Sequence, residues 1–290
     1  MKAQRRGEVY SIAVAFLESW FPIFTVFILT SMGALFAYLF SMALTSLIFI
    51  VIISYKKTWS EFFIKEAYAP LLWVTFYITL LFILIMVGLK YTTAGNMAVI
   101  ITLQLFFSYL YFSIFGSEKM SKVQSFGALL MGIGAIIILF PENFSLNRGD
   151  LLIFLASMIA PLTAHHQQKA RVLVSATTIL AFRNIVALPV VFLCALFTEE
   201  IPSFDDIKNV WWFILLNAVL IFTLSKILFV EALTLIPITK LMALISFMPL
   251  FTLIFAYFML NEVPDFLQFI GMLPVMFGGY LITKKEKNSF

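Results

Sequence analysis

Ten stretches of roughly 20 consecutive apolar residues, each set off by charges or turn residues, govern what this chain can become. They fall at about 9–29, 32–53, 68–89, 93–115, 122–140, 150–168, 177–197, 209–230, 237–260 and 265–283. Each run is continuous, where a barrel strand would alternate over about ten residues, so the spans are read as α-helices that satisfy their own backbone polar groups. Ten such spans consume about 200 to 220 residues, which leaves only loops and short tails out of 290. No separate soluble domain fits. Composition points the same way: 62% of residues are hydrophobic and 12% charged, against about 45 to 50% and 25% in soluble domains. The expected fold class is all-α integral membrane, with ten transmembrane helices.

Charge orients the bundle. With the N-terminus inside, fourteen of the nineteen Lys and Arg lie on the cytoplasmic side, and only Lys90, Arg148 and Lys208 lie outside. Arg183 and Lys226 fall within spans. That asymmetry predicts both termini in the cytoplasm of a cell whose inner membrane holds the chain. The net charge of +4 is then a by-product of topology, and no nucleic-acid partner is expected. The short basic segment before Val9 resembles the start of a signal peptide, but the apolar run from Val9 to Leu29 is too long for a cleavable core. It is expected to be retained as the first span. The single Cys194 cannot form an intrachain disulfide.

The chain also resembles itself. A shift of 144 residues aligns 88–139 with 232–283 without a gap, pairing Glu118 with Glu262, Gln124 with Gln268, Gly127 with Gly271 and Gly134 with Gly278. Ser121 with Gln124, and Asp265 with Gln268, have capping-box spacing, so both halves are expected to begin their fifth helix alike. The paired glycines are seven apart, on one helix face, where small residues allow close helix approach. Each half opens on a similar triplet, Arg6, Gly7, Glu8 and Arg148, Gly149, Asp150. Five spans per half is an odd number, so the second half enters the membrane from the opposite side. The expected organisation is two inverted five-helix repeats, 1–140 and 141–290, an arrangement recurrent among secondary transporters.

With these features the sequence resembles the drug/metabolite transporter superfamily, specifically its EamA-type carriers. The carrying elements are the run from Leu89 through Lys90, Tyr91, Thr92, Thr93, Ala94 and Gly95 to Asn96, Pro249 within helix nine, Glu118 and Glu262 closing helices four and nine, and the glycine-bearing helices five and ten. Glu231, Ala232 and Leu233 before helix nine add to it. Pro249 has Leu105 as its counterpart in the first half, and Glu18 stands where such carriers are usually apolar or aromatic. The resemblance implies a cavity lined by helices one, three, four, six, eight and nine. Candidate substrate-binding or coupling residues are therefore Glu18, Trp20, Tyr77, Gln104, His165, Asn217 and Lys226. Glu118, Glu262, Gly127, Gly134, Gly271, Gly278 and Arg183 are assigned structural roles, Arg183 on a helix the resemblance puts at the periphery.

Each candidate carries two readings. Glu18 lies near the bilayer midplane, where an ionised carboxylate costs about 2.5 kcal/mol or more. It either binds and couples or forms a buried pair, and Pro22 frees the backbone carbonyl of residue 18 beside it. Lys226 either snorkels or pairs with Glu18, or captures an anionic group. Gln104, Asn217 and Tyr77 serve helix contacts as readily as substrate. Trp20 either packs or stacks on an apolar ligand. His165 and His166 point about 100° apart on a helix and cannot share one metal. With two His and one Cys in the chain, neither a metal site nor a cofactor is expected.

The expected function is alternating-access transport, by family analogy export, of a small amphipathic metabolite such as an amino acid, with a proton as candidate coupling ion and a monomer or homodimer as the assembly. A receptor or structural membrane protein is the main alternative. An intramembrane enzyme is less well supported, because no His-Glu-x-x-His, Gly-x-Ser-x-Gly or Walker pattern occurs.

Overall fold

The computed structural model describes residues 2–114, 122–139, 147–263 and 266–283. Every regular element among them is helical. Ten spans follow the ten apolar runs. Helix α1 comprises Lys2–Glu18 and Trp20–Leu29, α2 is Ala34–Lys56, and α3 is Lys65–Leu89. Helix α4 comprises Ala94–Ile101 and Gln104–Tyr109, continued by a π-helical turn at Leu110–Ile114, and α5 is Lys122–Leu139. The second half repeats the plan: α6 is Arg148–Arg171, α7 is Ala176–Thr198, and α8 runs from Phe204–Leu216 through a π-helical segment, Asn217–Ser225, into Lys226–Leu235. Helix α9 comprises Ile238–Ile245 and Met248–Leu260, and α10 is Phe266–Thr283.

Among the described residues, seven helices are long and apolar enough to cross a membrane. The others are α5, α6 and α10. Helix α6 carries His165, His166, Gln167, Gln168, Lys169 and Arg171 toward its end, while α5 and α10 have 18 residues each, about 27 Å of helix against a hydrocarbon core of about 30 Å. Helix α8 outruns its predicted limits because Ser203 and Asp206 form a reciprocal capping box, with Asp206 Oδ2 2.8 Å from Ser203 N. The capping residues expected at Ser121 and Asp265, and the carboxylate of Glu118, lie outside the described residues.

The repeat governs how the halves meet. A Cβ placed on Gly134 would stand 2.5 Å from the carbonyl oxygen of Gly271. One placed on Gly278 would collide with the carbonyl of Gly127. Helices α5 and α10 thus approach through the same glycines exchanged between halves. Gly7 and Gly149 act alike at the starts of α1 and α6: a Cβ on Gly7 would lie 2.8 Å from Ile236, and one on Gly149 would lie 2.7 Å from the Gly88 carbonyl.

Two helices break at equivalent positions. In α4 the Thr102 hydroxyl donates to the Val99 carbonyl at 2.6 Å. In α9 the Ser246 hydroxyl donates to the Ala243 carbonyl at 2.6 Å. Each hydroxyl sits at an interruption and is related to the other by the 144-residue shift; such back-bonding competes with the helical ladder and bends it. Pro249 follows the second break only, so proline is not required for it. Helix α1 is interrupted at Ser19, three residues before Pro22, and the Ser19 carbonyl accepts from the Thr252 hydroxyl of α9 at 3.2 Å.

Candidate functional site

The interruption in α1, the break in α4 and the π-helical segment of α8 all face one cavity between the two halves. A π segment shifts the register of the residues after it, and such insertions recur at functional sites. Here it ends at Ser225 and Lys226, opposite the last residue before the α1 interruption, Glu18. Lys226 Nζ lies 2.5 Å from Glu18 Oε1, and the Ser225 hydroxyl donates to the same oxygen at 2.7 Å. The pair is largely withdrawn from solvent, with side-chain exposures of 12% for Lys226 and 19% for Glu18. Lys226 Nζ also stands 5.4 Å from the centroid of Phe82 and 6.0 Å from that of Phe229, within the range of a cation–π contact.

All six helices expected to line the cavity contribute: Phe21 with Glu18 from α1, Ile78 and Phe82 from α3, Met97 and Gln104 from α4, Thr163 and Gln167 from α6, Ile221 and Phe229 with Lys226 from α8, and Met242 and Met248 from α9. Arg183 adds a seventh, α7. Its helix was expected at the periphery, yet the residue is 1% exposed and reaches the lining. The cavity volume is about 70 Å³, enough for a few waters but well below the 300 to 1,000 Å³ of ordinary ligand sites. This conformation is closed around its own charges.

Of the sequence candidates, Glu18, Gln104 and Lys226 come together on the lining. The others lie elsewhere. Trp20 stacks on Phe255 at 4.0 Å between centroids and on Phe24 at 5.5 Å. Tyr77 packs on Trp73 at 5.5 Å and on His166 at 5.6 Å. His165 lies 5.4 Å from Phe112 and 5.5 Å from His166. Asn217 is fully buried, and its Nδ2 donates to the Thr25 hydroxyl at 3.4 Å, while its Oδ1 has no partner. Two lining residues were not among the substrate-binding candidates: Gln167, which the sequence did not single out, and Arg183, which it assigned a structural role. Gln167 is 2% exposed with an unpartnered Oε1, and its signal was the spacing to Thr163 and Ala160, one and two turns earlier on one face of α6. Arg183 has buried Nε and Nη1 atoms without partners.

Contacts related by the repeat tie helices together at both ends of the bundle. At the end holding the start of α1, Glu8 pairs with Lys240 of α9, and Arg171 bonds Glu231 at 3.0 Å. At the opposite end Asp150 accepts from the Thr92 hydroxyl and from Asn96 Nδ2, the latter at 3.4 Å. Asn96 and Lys240 are 144 residues apart. Glu262 accepts the Ala94 and Gly95 amides at the start of α4, both at 3.2 Å, where backbone N–H groups and the helix dipole favour an anion.

A small charged cavity lined from two five-helix halves of inverted topology, with matched contacts at the two ends of the bundle, belongs to a membrane transporter. A model of the EamA-like transporter family matches residues 5–140 and again 147–284, and the chain belongs to that family. An uncharacterized transporter of Archaeoglobus fulgidus is 28% identical over 216 residues, which cover 72% of this chain and 73% of that protein. A crystal structure of a protein only 11% identical in sequence aligns with a TM-score of 0.72 over 96% of either chain, a likeness of fold.

Proposed function

We propose that this transporter is a secondary carrier which moves a small amphipathic metabolite by alternating access, binding it in the cavity around Glu18, Gln104, Lys226 and Arg183. The observation that carries this reading is the buried Glu18–Lys226 pair, at 2.5 Å in a cavity lined from both halves. Charged groups inside a bundle are costly, and they mark substrate or ion pathways. The small volume is consistent with an occluded state that must open to load. The repeat supplies two equivalent ways to open it, by releasing Glu8 from Lys240 or Asp150 from Asn96. Amino acids are one class of amphipathic metabolite that suits a lining of acid, base and aromatic groups. We further propose location in the inner membrane, both termini in the cytoplasm, proton coupling through Glu18, and export as the net direction, the last by analogy with the family.

Purified protein in proteoliposomes tests the carrier. With an imposed proton gradient, at least one labelled member of a panel of amino acids and organic acids should accumulate, and collapse of the gradient should abolish accumulation. Vesicles carrying Glu18→Gln with Lys226→Met should show none. Absence of net uptake and of exchange for the whole panel, with correctly inserted protein, would overturn the proposal.

A further inference from the structure

The ionisable groups on the cavity lining, among the described residues, are Glu18, Arg183 and Lys226. Glu18 and Lys226 neutralise each other. Arg183 remains. It is 1% exposed, forms no salt bridge among the described residues, and leaves Nε and Nη1 buried without a hydrogen-bond partner. A guanidinium stays charged in proteins and carries its donors in a planar fork that matches a carboxylate or phosphate. Glu18 attracts Arg183 through space but is bonded to Lys226, so one carboxylate faces two cations and the lining keeps one uncompensated positive charge among the described residues. Such a charge is costly in a poorly solvated site and points to an anion that is not part of the protein fold.

We infer that Arg183 is the anion receptor of the cavity and that the transported metabolite is an apolar-bodied monoanion. This rests on the carrier reading of the same cavity and narrows its substrate class. Charge balance distinguishes the alternatives: a zwitterion brings no net charge and leaves the lining at +1, whereas a ligand of net charge −1 neutralises it. The walls supply the apolar half, since Phe21, Ile78, Phe82, Ile221, Phe229 and Met248 surround the charged groups. The unpartnered Oε1 of Gln167 offers an acceptor to a hydroxyl or amide on the same ligand.

The test is ligand binding by the full-length protein in detergent, measured by calorimetry and thermal shift. The probes are straight-chain carboxylates from butanoate to octanoate, the matching alkyl sulfonates, the matching uncharged amides and zwitterionic norleucine. At least one carboxylate or alkyl sulfonate should bind wild-type protein at least tenfold more tightly than its amide and than norleucine. In Arg183→Met the affinity for that anion should fall by roughly 10- to 100-fold, the range expected for hydrogen bonds to a charged group, and Arg183→Lys should recover part of it. The melting temperature of unliganded Arg183→Met should equal or exceed that of wild type, because the replaced cation makes no salt bridge among the described residues and its removal relieves repulsion of Lys226. A lower melting temperature would identify a structural Arg183 and overturn the proposal. So would anion binding that survives Arg183→Met, or failure of every anion to exceed its amide. Vesicle uptake of norleucine without anion binding would overturn the anion receptor and leave the carrier standing.

Discussion

Glu61 and Glu199 hold reciprocal places in the two halves. Glu61, in the one-turn 3₁₀ segment Trp59–Phe63 after α2, accepts from the Ser175 amide at 2.7 Å and from the Ser175 and Thr178 hydroxyls, both at 2.6 Å, at the start of α7. Glu199, at the end of α7, accepts from the Leu35 and Phe36 amides at 2.9 and 3.1 Å, at the start of α2. Each helix is thus capped by a carboxylate that follows the other, at opposite ends of the bundle. Replacing a side-chain cap by alanine costs about 0.5 to 2 kcal/mol. Glu61→Ala and Glu199→Ala should each lower the melting temperature in detergent, and the losses should add in the double variant because the sites are far apart. A single variant that melts like wild type would show that its cap contributes nothing.

Glu61 also carries a pH signature. Burial raises its pKa, but the hydrogen bonds from Ser175 and Thr178, with the nearby Arg171, outweigh this and hold the carboxyl below its ordinary value of 4.5. A carboxyl with a depressed folded-state pKa stabilises the protein fully above the unfolded value, and that stability is lost as pH falls through the folded one. Acidification below about pH 4.5 should therefore narrow the melting-temperature difference between wild type and Glu61→Gln. A difference that stays constant from pH 7 to pH 3 would contradict the assignment.

The Glu18–Lys226 pair makes a prediction about stability that is separate from transport. Removing one partner strands the other in a poorly solvated cavity, at a cost of about 3 to 5 kcal/mol when desolvation is complete. The residual exposures of 12% and 19% place the expected loss at or below the lower end of that range. Glu18→Gln should melt lower than wild type, and addition of Lys226→Met should restore part of the loss, since it removes the stranded ammonium while Arg183 stays charged on the lining. Equal melting temperatures for Glu18→Gln and wild type would mean that the pair contributes no stability.

The ten spans and the repeat were legible because apolar run length and shared glycines survive in the sequence. Rotation about each helix axis was not. A soluble helix shows its inner face by polarity, but lipid tails are as apolar as a core, so Trp20, Tyr77 and His165 read as plausibly cavity-facing as Glu18 did. Arg183 was discounted for its helix, although a long side chain on a peripheral helix can still reach the centre. Glu61 and Glu199 were hidden for another reason: they are 138 residues apart rather than 144, and loops of unequal length break the register that the helices keep. Asn96, which the sequence offered only as the end of the run from Leu89, pairs with Asp150; the 144-residue shift that relates it to Lys240 was the available signal.

The glycine contact between α5 and α10 predicts a large steric effect. A Cβ on Gly134 already meets the Gly271 carbonyl at 2.5 Å and Val275 at 2.7 Å, and neither a carbonyl nor a packed helix can yield to a whole side chain. Gly134→Leu and Gly278→Leu should each lower the yield and melting temperature of folded protein. Gly132, which has nothing within 4 Å of its Cβ position, should accept Leu with little change. Equal behaviour of Gly132→Leu and Gly134→Leu would remove the close contact from the account.

The two ends of the bundle use matched positions but different chemistry, and this difference can be exchanged. Glu8 meets a cation, Lys240, whereas Asp150 meets an amide and a hydroxyl, Asn96 and Thr92. The Glu8–Lys240 pair is about one-third exposed on both sides, so solvent screening should leave its contribution to stability small. In the carrier proposed above, its effect on the balance between conformations need not be small, because a contact made in only one of two conformations shifts their equilibrium by its full energy. Lys240→Asn makes the two ends alike. In a Cys194→Ala background carrying Gln104→Cys, it should raise the rate at which a thiol reagent entering from the Glu8 end reaches the cavity, while the melting temperature moves by no more than a few degrees. Asn96→Lys should slow labelling from the opposite end, since an ion pair with Asp150 would hold that gate more firmly. Unchanged labelling rates in both variants would show that neither contact controls access to the cavity.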